Sequence, residues 1–202
     1  KATKKDYIDN KKEEARNMID ELLKDVETST SHNAFNEYVK QNYLDNFLRG
    51  GYPYKIGNTI YHLYSRRHGD LERDYNFFRL APEYYSNGGG NFRDVCQNRR
   101  MDSFIHRDVE AVNVYHFAQL MQIDGYNPLT VNVMTYHIKS DSLREELVKR
   151  HFNTGNKEID QFLNNRFTPG GLVNFVENNQ FLVKSSEKEY LDDIIQSADE
   201  YI

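Results

Sequence analysis

A run of three glycines at residues 88–90 precedes a group of polar and aromatic side chains that could bind a hydroxylated ligand. Arginine offers a rigid fork of N–H donors and a carboxylate accepts two hydroxyl protons, so an adjacent Arg–Asp pair can hold neighbouring hydroxyls of a sugar ring. Glycines let the backbone approach that ring closely. The candidate substrate-binding residues are Tyr85, Phe92, Arg93, Asp94 and Gln97. The sequence assigns no catalytic residue.

The same segment also fits a purely structural role. A buried Arg93–Asp94 pair could join a loop to a helix without binding any ligand, and the sequence does not decide between the two roles. The three glycines lack both the GxxxxGK[ST] and the GxGxxG spacing, which disfavours a phosphate-binding loop relative to a flexible turn or a close backbone approach.

Other polar residues are weaker candidates for a site. His68, Asp70 and Asp74 lie in a charged segment, but their spacing matches no familiar metal site, so we predict internal charge pairing and no metal. Cys96 has no recognisable base at a catalytic spacing, and we interpret it as a packing residue. His116 belongs to a narrow polar stripe with Asn113 and Gln119, and a hydrogen-bonded core histidine is the favoured interpretation.

The overall composition narrows the class of protein. The chain has 202 residues, a net charge of −5 and 13% aromatic residues, which argues against disorder and against a general nucleic-acid binder. The single cysteine excludes an internal disulfide and favours a reducing compartment. No apolar run approaches the ~20 residues of a membrane span, and the first residues lack the apolar region of a signal peptide. We therefore expect a cytoplasmic protein with no membrane partner and no cofactor.

Periodicity predicts the elements that must position these residues. Apolar residues recur at helical spacing over residues 6–27 and again up to about Leu48, where Phe35 is expected to face inward. A short strand is predicted within 57–66 and another within 130–138. Residues 67–101 are predicted to form a long ordered loop that carries the candidate site. A helix over 107–123 is apolar nearly all round, which predicts central packing.

The last third of the chain shows local signals for helix starts. Ser142 with Glu145 and Ser186 with Glu189 fit capping boxes, and Thr168 precedes a proline at the first helical position. The predicted fold class is mainly α with minor β, built from helical hairpins. The sequence predicts one domain over residues 1–202.

The tyrosine pair 84–85, the glycines, Phe92-Arg93-Asp94 and Gln97 together resemble the cellobiose and chitobiose phosphorylases, a family of inverting glycoside phosphorylases. Asn91 stands where the family has glycine, and Asn98 where it has an acid. The similarity covers roughly residues 33–123. It implies that the helices form part of an (α/α)6-type toroid. It also implies that Arg93 and Asp94 bind the sugar on the non-reducing side of the cleaved bond, with Gln97 behind them.

One part of the family pattern is missing from this sequence. The family's general acid is an aspartate in a tryptophan-containing motif far downstream, and this chain has no tryptophan. The resemblance therefore implies a fragment of a larger protein that cleaves glycosidic bonds by phosphorolysis or hydrolysis, inactive alone. The implied partners are an oligosaccharide, phosphate as a further candidate, and the remainder of the parent polypeptide. A non-catalytic helical interaction module is the alternative, and a metal-dependent hydrolase using His68, Asp70 and Asp74 comes third.

Overall fold

The computed structural model describes residues 4–63 and 84–202, apart from the side chains of residues 46–49. The sequence predicts one domain over residues 1–202; the structure divides the chain into two compact units, Lys1–Phe47 and Leu48–Ile202. Each unit contains helices of its own. Among these residues, no helix combines the length and the apolarity that crossing a membrane requires.

The first unit contains α1, Lys5–Leu23, a 3₁₀ turn at Lys24–Val26, and the start of α2, Asn33–Gly50. Both helices were predicted. The Thr30 hydroxyl accepts from the His32 backbone N–H at 3.2 Å and thereby shapes the turn before α2. The expectation that Phe35 faces inward is wrong, because its side chain is 51% exposed.

The second unit begins with a β-hairpin. Strand β1, Tyr52–Ile56, pairs antiparallel with β2, Thr59–Leu63, through a turn in which Gly57 has a positive φ of 58°. The sequence predicted a short strand in this region but not β1. The backbone N–H of Gly57 donates to Asp192 Oδ1 at 2.8 Å, which ties the hairpin to the C-terminal helices.

The middle of the second unit is made of short elements. Strand β3, Gly90–Asn91, is followed by α3, Phe92–Arg99, α4, Asp102–Ile105, a 3₁₀ turn at Arg107–Val109 and α5, Val112–Gln119. Strand β4, Thr130–Val131, pairs antiparallel with β3. The predicted loop over 67–101 lies partly outside the described residues. Its last part is not a loop, because helix α3 occupies residues 92–99. The helix predicted over 107–123 is reduced to α5.

The C-terminal part packs four helices beside a small sheet. Strand β5, Thr135–His137, pairs antiparallel with β6, Asp199–Tyr201. Between them lie α6, Asp141–His151, α7, Asn156–Leu163, α8, Pro169–Asn178, and α9, Glu187–Gln196. The large buried side chains at the centre include Tyr61, Tyr136, Phe152, Leu163, Leu172, Leu191 and Ile194. The fold is mainly α with minor β, as predicted.

Three predicted helix starts can be compared with the caps in the structure. Thr168 caps α8 by accepting from the Gly171 N–H at 3.0 Å, with proline at the first helical position, as predicted. Ser186 and Glu189 form the predicted capping box of α9. The cap of α6 is Ser140 rather than Ser142, because the helix begins two residues earlier than the sequence pattern indicated.

Candidate functional site

Helix α3 carries most of the residues predicted to bind a ligand, and it divides them between two faces. Phe92 and Val95 are buried, and the Phe92 ring meets the edge of Phe117 with ring centroids 5.3 Å apart. Arg93 and Gln97 lie on the opposite, exposed side of the same short helix. Phe92 faces the interior because burying its apolar ring lowers the free energy relative to leaving the ring in water. Residues at i and i+4 share a helix face, so Arg93 and Gln97 are neighbours.

Arg93 and Asp94 contact each other at the N-terminal end of α3. Arg93 Nε donates to Asp94 Oδ1 at 3.2 Å, and Asn91 Nδ2 donates to Asp94 Oδ2 at 3.3 Å. The two charged side chains are 76% and 22% exposed, respectively. The alternative interpretation predicted a pair that is both mutual and buried. The structure shows the mutual contact but leaves Arg93 in solvent, where such an ion pair contributes little to stability.

The two aromatic candidates have partners inside the protein. The Tyr85 hydroxyl donates to Glu187 Oε1 at 2.8 Å, and its ring lies 5.8 Å from that of Tyr54. Burial, reinforced by this hydrogen bond, raises the pKa of the Tyr85 phenol. Arg93 and Gln97 are therefore exposed and Asp94 partly exposed, whereas Phe92 is buried and Tyr85 is partly buried with its hydroxyl bound to Glu187.

The three glycines allow two strands to approach closely. A Cβ atom on Gly89 would lie 3.3 Å from the carbonyl oxygen of Val131 in the neighbouring strand. Gly90 itself pairs with Val131 in the antiparallel register of β3 and β4. A close backbone approach was one of the structural roles that the sequence favoured for this segment.

A buried polar cluster lies where β2, α4 and α5 meet, and sequence reasoning missed it. His62 Nε2 lies 3.0 Å from Asp102 Oδ2, and Asn113 Nδ2 donates to the same carboxylate oxygen at 3.0 Å. Asn113 also donates to the Arg99 carbonyl at 3.3 Å, while Arg99 Nε donates to the Gly50 carbonyl at 2.8 Å. All of these side chains are buried. These hydrogen bonds therefore link five segments of the second unit: Gly50, β2, α3, α4 and α5.

Burial shifts the two titratable members of this cluster toward their neutral forms. It raises the pKa of the Asp102 carboxyl to about 7, although the hydrogen bond from Asn113 and the charge of Arg99 act in the opposite direction. Burial also lowers the pKa of His62 well below its usual value, and Arg99 and His116 add to that effect. Since burial favours the neutral form of His62, its contact with Asp102 is a hydrogen bond rather than an ion pair.

The cluster borders a narrow cavity lined by His62, Asn87, Arg99 and His116, among others, with about 20 Å³ available to the centre of a water molecule. That space suits a water molecule and is far too small for a sugar ring. Within the described part of the chain, the Nδ1 atoms of His62 and His116 are buried without a hydrogen-bond partner. The arrangement is that of an internal polar core rather than a substrate site.

Helix α5 turns its polar side inward and part of its apolar side outward, opposite to the sequence prediction. Asn113 is buried and His116 nearly so, whereas Val114 and Tyr115 are 67% and 65% exposed. The predicted central packing of this helix is therefore wrong. The polar side faces inward because Asn113 satisfies Asp102 and because His116 Nε2 contacts Glu200 Oε1 at 2.8 Å. A hydrogen-bonded role for His116 agrees with the sequence interpretation.

Glu200 accepts hydrogen bonds from two elements. Thr59 Oγ1 donates to Glu200 Oε2 at 2.7 Å, opposite the contact with His116. Burial acts to raise the pKa of this carboxyl, but the hydrogen bonds from His116 and Thr59 outweigh it and the pKa is lowered. Glu200 is therefore ionised at neutral pH and holds α5 against the hairpin.

The outward face of α5 belongs to a stretch with many exposed apolar side chains. These are Met101, Phe104, Val114, Tyr115, Met121, Ile123, Tyr126 and Leu129. Large exposed apolar areas mark interaction surfaces more often than they occur on isolated monomers. The exposure of these side chains is relevant to the alternative of an interaction module.

The metal hypothesis gains no support from the described residues. Residues 4–63 and 84–202 contain no group of three or more His, Cys, Asp or Glu side chains placed to hold a metal ion. The residues of that hypothesis, His68, Asp70 and Asp74, lie outside the described residues. Cys96 is a free, half-buried thiol.

Comparison with protein-family profiles, curated proteins and solved structures gave no match for this chain. The resemblance to the cellobiose and chitobiose phosphorylases therefore stays a prediction from the sequence of residues 84–97.

Proposed function

We propose that this chain is the sugar-binding portion of a cellobiose-phosphorylase-like carbohydrate-active protein. The observation that carries the proposal is the accessible face of α3, on which Arg93, Asp94 and Gln97 lie together. In the complete protein, the helices would form part of an (α/α)6-type toroid. A carboxylic acid from outside this chain would protonate the leaving oxygen while phosphate or water attacks the anomeric carbon.

The contacts of Asp94 suit it to receive a sugar. Arg93 and Asn91 hold its two carboxylate oxygens in place, so the carboxylate is oriented before a ligand arrives. A pair of neighbouring hydroxyls could replace the Arg93 contact at little cost, because exposed ion pairs are weak. Arg93 would then donate to a ring hydroxyl, and the Gln97 amide could both donate and accept.

The first prediction concerns Arg93. We expect Arg93→Ala to weaken binding of cellobiose or chitobiose by roughly 10- to 100-fold, because a hydrogen bond from a charged donor contributes about 1.5–3 kcal/mol. The measurement is isothermal titration of the chain with cellobiose, chitobiose, glucose and phosphate. It is supported by thermal shifts, since a ligand that binds only the folded state raises its stability.

Arg100→Ala is the matched control, since Arg100 is an exposed arginine directly after α3. It should bind sugar as the wild type does. The proposal fails if no sugar binds the wild-type chain, or if the Arg93 and Arg100 variants bind equally well.

The exposed apolar surface around α5 favours a second candidate function, a non-catalytic helical interaction module. We expect the chain to self-associate through this surface at high concentration and Tyr115→Ser to weaken the association at least tenfold, because burying a large side chain contributes about 1.5–3 kcal/mol. Sedimentation velocity over a concentration series measures it. Tyr38→Ser is the control, since Tyr38 is 64% exposed in the first unit. A chain that stays monomeric throughout would contradict this candidate.

A further inference from the structure

A serine, a histidine and an aspartate are hydrogen-bonded in series beside the start of α9. Ser185 Oγ lies 2.8 Å from His151 Nδ1, and His151 Nε2 lies 3.0 Å from Asp193 Oδ2. His151 is the last residue of α6, Asp193 is in the second turn of α9, and Ser185 precedes that helix by two residues. A nucleophile, a base and a group that orients the base, each within hydrogen-bond reach of the next, are the components of an activated serine.

The direction of the hydrogen bonds follows from the charge of Asp193. The hydrogen bonds from Arg150 and His151 lower the pKa of this carboxyl, although partial burial opposes them, so it is ionised and can only accept. His151 Nε2 must therefore carry a hydrogen. In the neutral imidazole the other nitrogen, Nδ1, is then the acceptor, and Ser185 must donate to it. This is the tautomer that a general base requires for removing the serine proton.

The backbone fixes Ser185 on both sides. Lys184 N–H donates to the His151 carbonyl at 2.8 Å, and Phe152 pairs with Val183 in an antiparallel bridge. On the other side, Ser186 begins the capping box of α9. The serine is thus held between two ordered segments while its own side chain stays partly exposed. Rigid support of this kind is what a reactive side chain needs in order to keep its geometry.

The start of α9 could also stabilise a developing negative charge. The first N–H groups of a helix have no intrahelical partner. In α9, the N–H of Glu189 is satisfied by Ser186 Oγ and that of Tyr190 by the Ser186 carbonyl, whereas those of Glu187 and Lys188 have no acceptor among residues 4–63 and 84–202. The side chains of Glu187 and Glu189 also lie in this first turn and oppose a further negative charge. Backbone N–H groups beside the nucleophile are the usual donors for the oxyanion of a tetrahedral intermediate.

We propose that Ser185, His151 and Asp193 form a nucleophilic site for acyl transfer from activated esters, independent of the proposed sugar binding. Ser185 Oγ attacks the ester carbonyl carbon while its proton passes to His151 Nδ1. The carbonyl–oxygen bond to the leaving group then breaks, and the leaving alkoxide takes that proton. Water, deprotonated by His151, then attacks the acyl carbon, the bond between that carbon and Ser185 Oγ breaks, and Ser185 Oγ takes the proton from His151, which releases the acid and restores the serine.

The test uses the full chain and a fluorophosphonate probe, which phosphonylates an activated serine with release of fluoride. We expect one adduct, mapped to Ser185 by peptide mass, and none at that position in Ser185→Ala. His151→Gln should slow the labelling by about 100-fold or more, as expected when a general base is lost. Asp193→Asn should slow it less, because the base remains but is no longer oriented. Hydrolysis of p-nitrophenyl acetate should fall in the same order.

Ser197→Ala is the control, since Ser197 is a partly exposed serine at the other end of α9. It should label as the wild type does. Circular dichroism verifies that each variant is folded. If His151→Gln does not fold, the labelling of Ser185→Ala and Asp193→Asn tests the proposal without it. The proposal is overturned if the wild type forms no adduct at Ser185, or if Asp193→Asn labels at the wild-type rate. Sugar binding should be unchanged in Ser185→Ala, which separates this outcome from that of the Arg93 experiment.

Discussion

Replacing Asp102 with alanine should lower the free energy of unfolding of the second unit by about 2–4 kcal/mol, because two buried polar groups lose their shared partner at a cost of about 1–3 kcal/mol each. The Asp102 carboxylate oxygen contacts His62 Nε2 at 3.0 Å and accepts from Asn113 at 3.0 Å. Both partners are buried and would keep their desolvation cost without the hydrogen bond. The variant also leaves a cavity where β2, α4 and α5 meet.

Equilibrium denaturation in urea measures this change through the transition midpoint. Asp108→Ala is the matched control, because the Asp108 side chain is 71% exposed and its ion pair with Lys55 is long, at 3.6 Å. Its effect should stay within about 0.5 kcal/mol, as for most surface substitutions. If Asp102→Ala were as mild as the control, the buried cluster would not be important to the stability of this unit.

Local sequence signals predicted the helix starts well in the C-terminal part. Thr168 before a proline and Ser186 three residues before Glu189 are caps that need only neighbouring residues, so the sequence contains all that determines them. The cap of α6 was misplaced by two residues because Ser140 and Ser142 offer the same chemistry within one turn. Element boundaries are sensitive to such equivalent choices.

The orientation of α5 could not be predicted from its own pattern. Hydrophobic periodicity assigned its apolar residues to the core, but Asn113 and His116 face inward because their partners are Asp102 and Glu200. Glu200 is far away in the sequence, and no local spacing indicates the contact. Tertiary hydrogen bonds therefore override the amphipathic pattern here, since a buried carboxylate without a partner costs more than an exposed valine.

The placement of the proposed sugar-binding residues could be predicted in part. Arg93 and Gln97 lie on one exposed face of α3, as their helical spacing indicates, and their binding of a sugar stays a prediction. Phe92 was assigned to the ligand but packs on Phe117, because residues adjacent on a helix point in different directions. No local spacing indicates the Ser185–His151–Asp193 series either, because Ser185 and Asp193 are 34 and 42 residues from His151 in the sequence.

The pKa of Asp102 leads to a second large effect, a change of stability with pH. Burial raises the pKa of this carboxyl from 3.8 to about 7 in the folded protein. The folded state therefore binds a proton more tightly than the unfolded state does. The stability that the protonated carboxyl contributes is fully present below pH 3.8 and is lost as the pH rises through about 7.

Asp102→Asn replaces the carboxyl with a group that stays neutral, so it should remove this dependence. Between pH 5 and pH 7 the wild type should lose about 2 kcal/mol of unfolding free energy relative to the variant, because each pH unit in this window is worth 1.36 kcal/mol per proton. His62 is present in both proteins, so its own titration largely cancels in the difference. Urea denaturation at several pH values measures it, with Asp108→Asn as the surface control. A difference that stays constant from pH 5 to pH 8 would mean that Asp102 is ionised throughout and that its contacts with Asn113 and Arg99, rather than burial, control its charge.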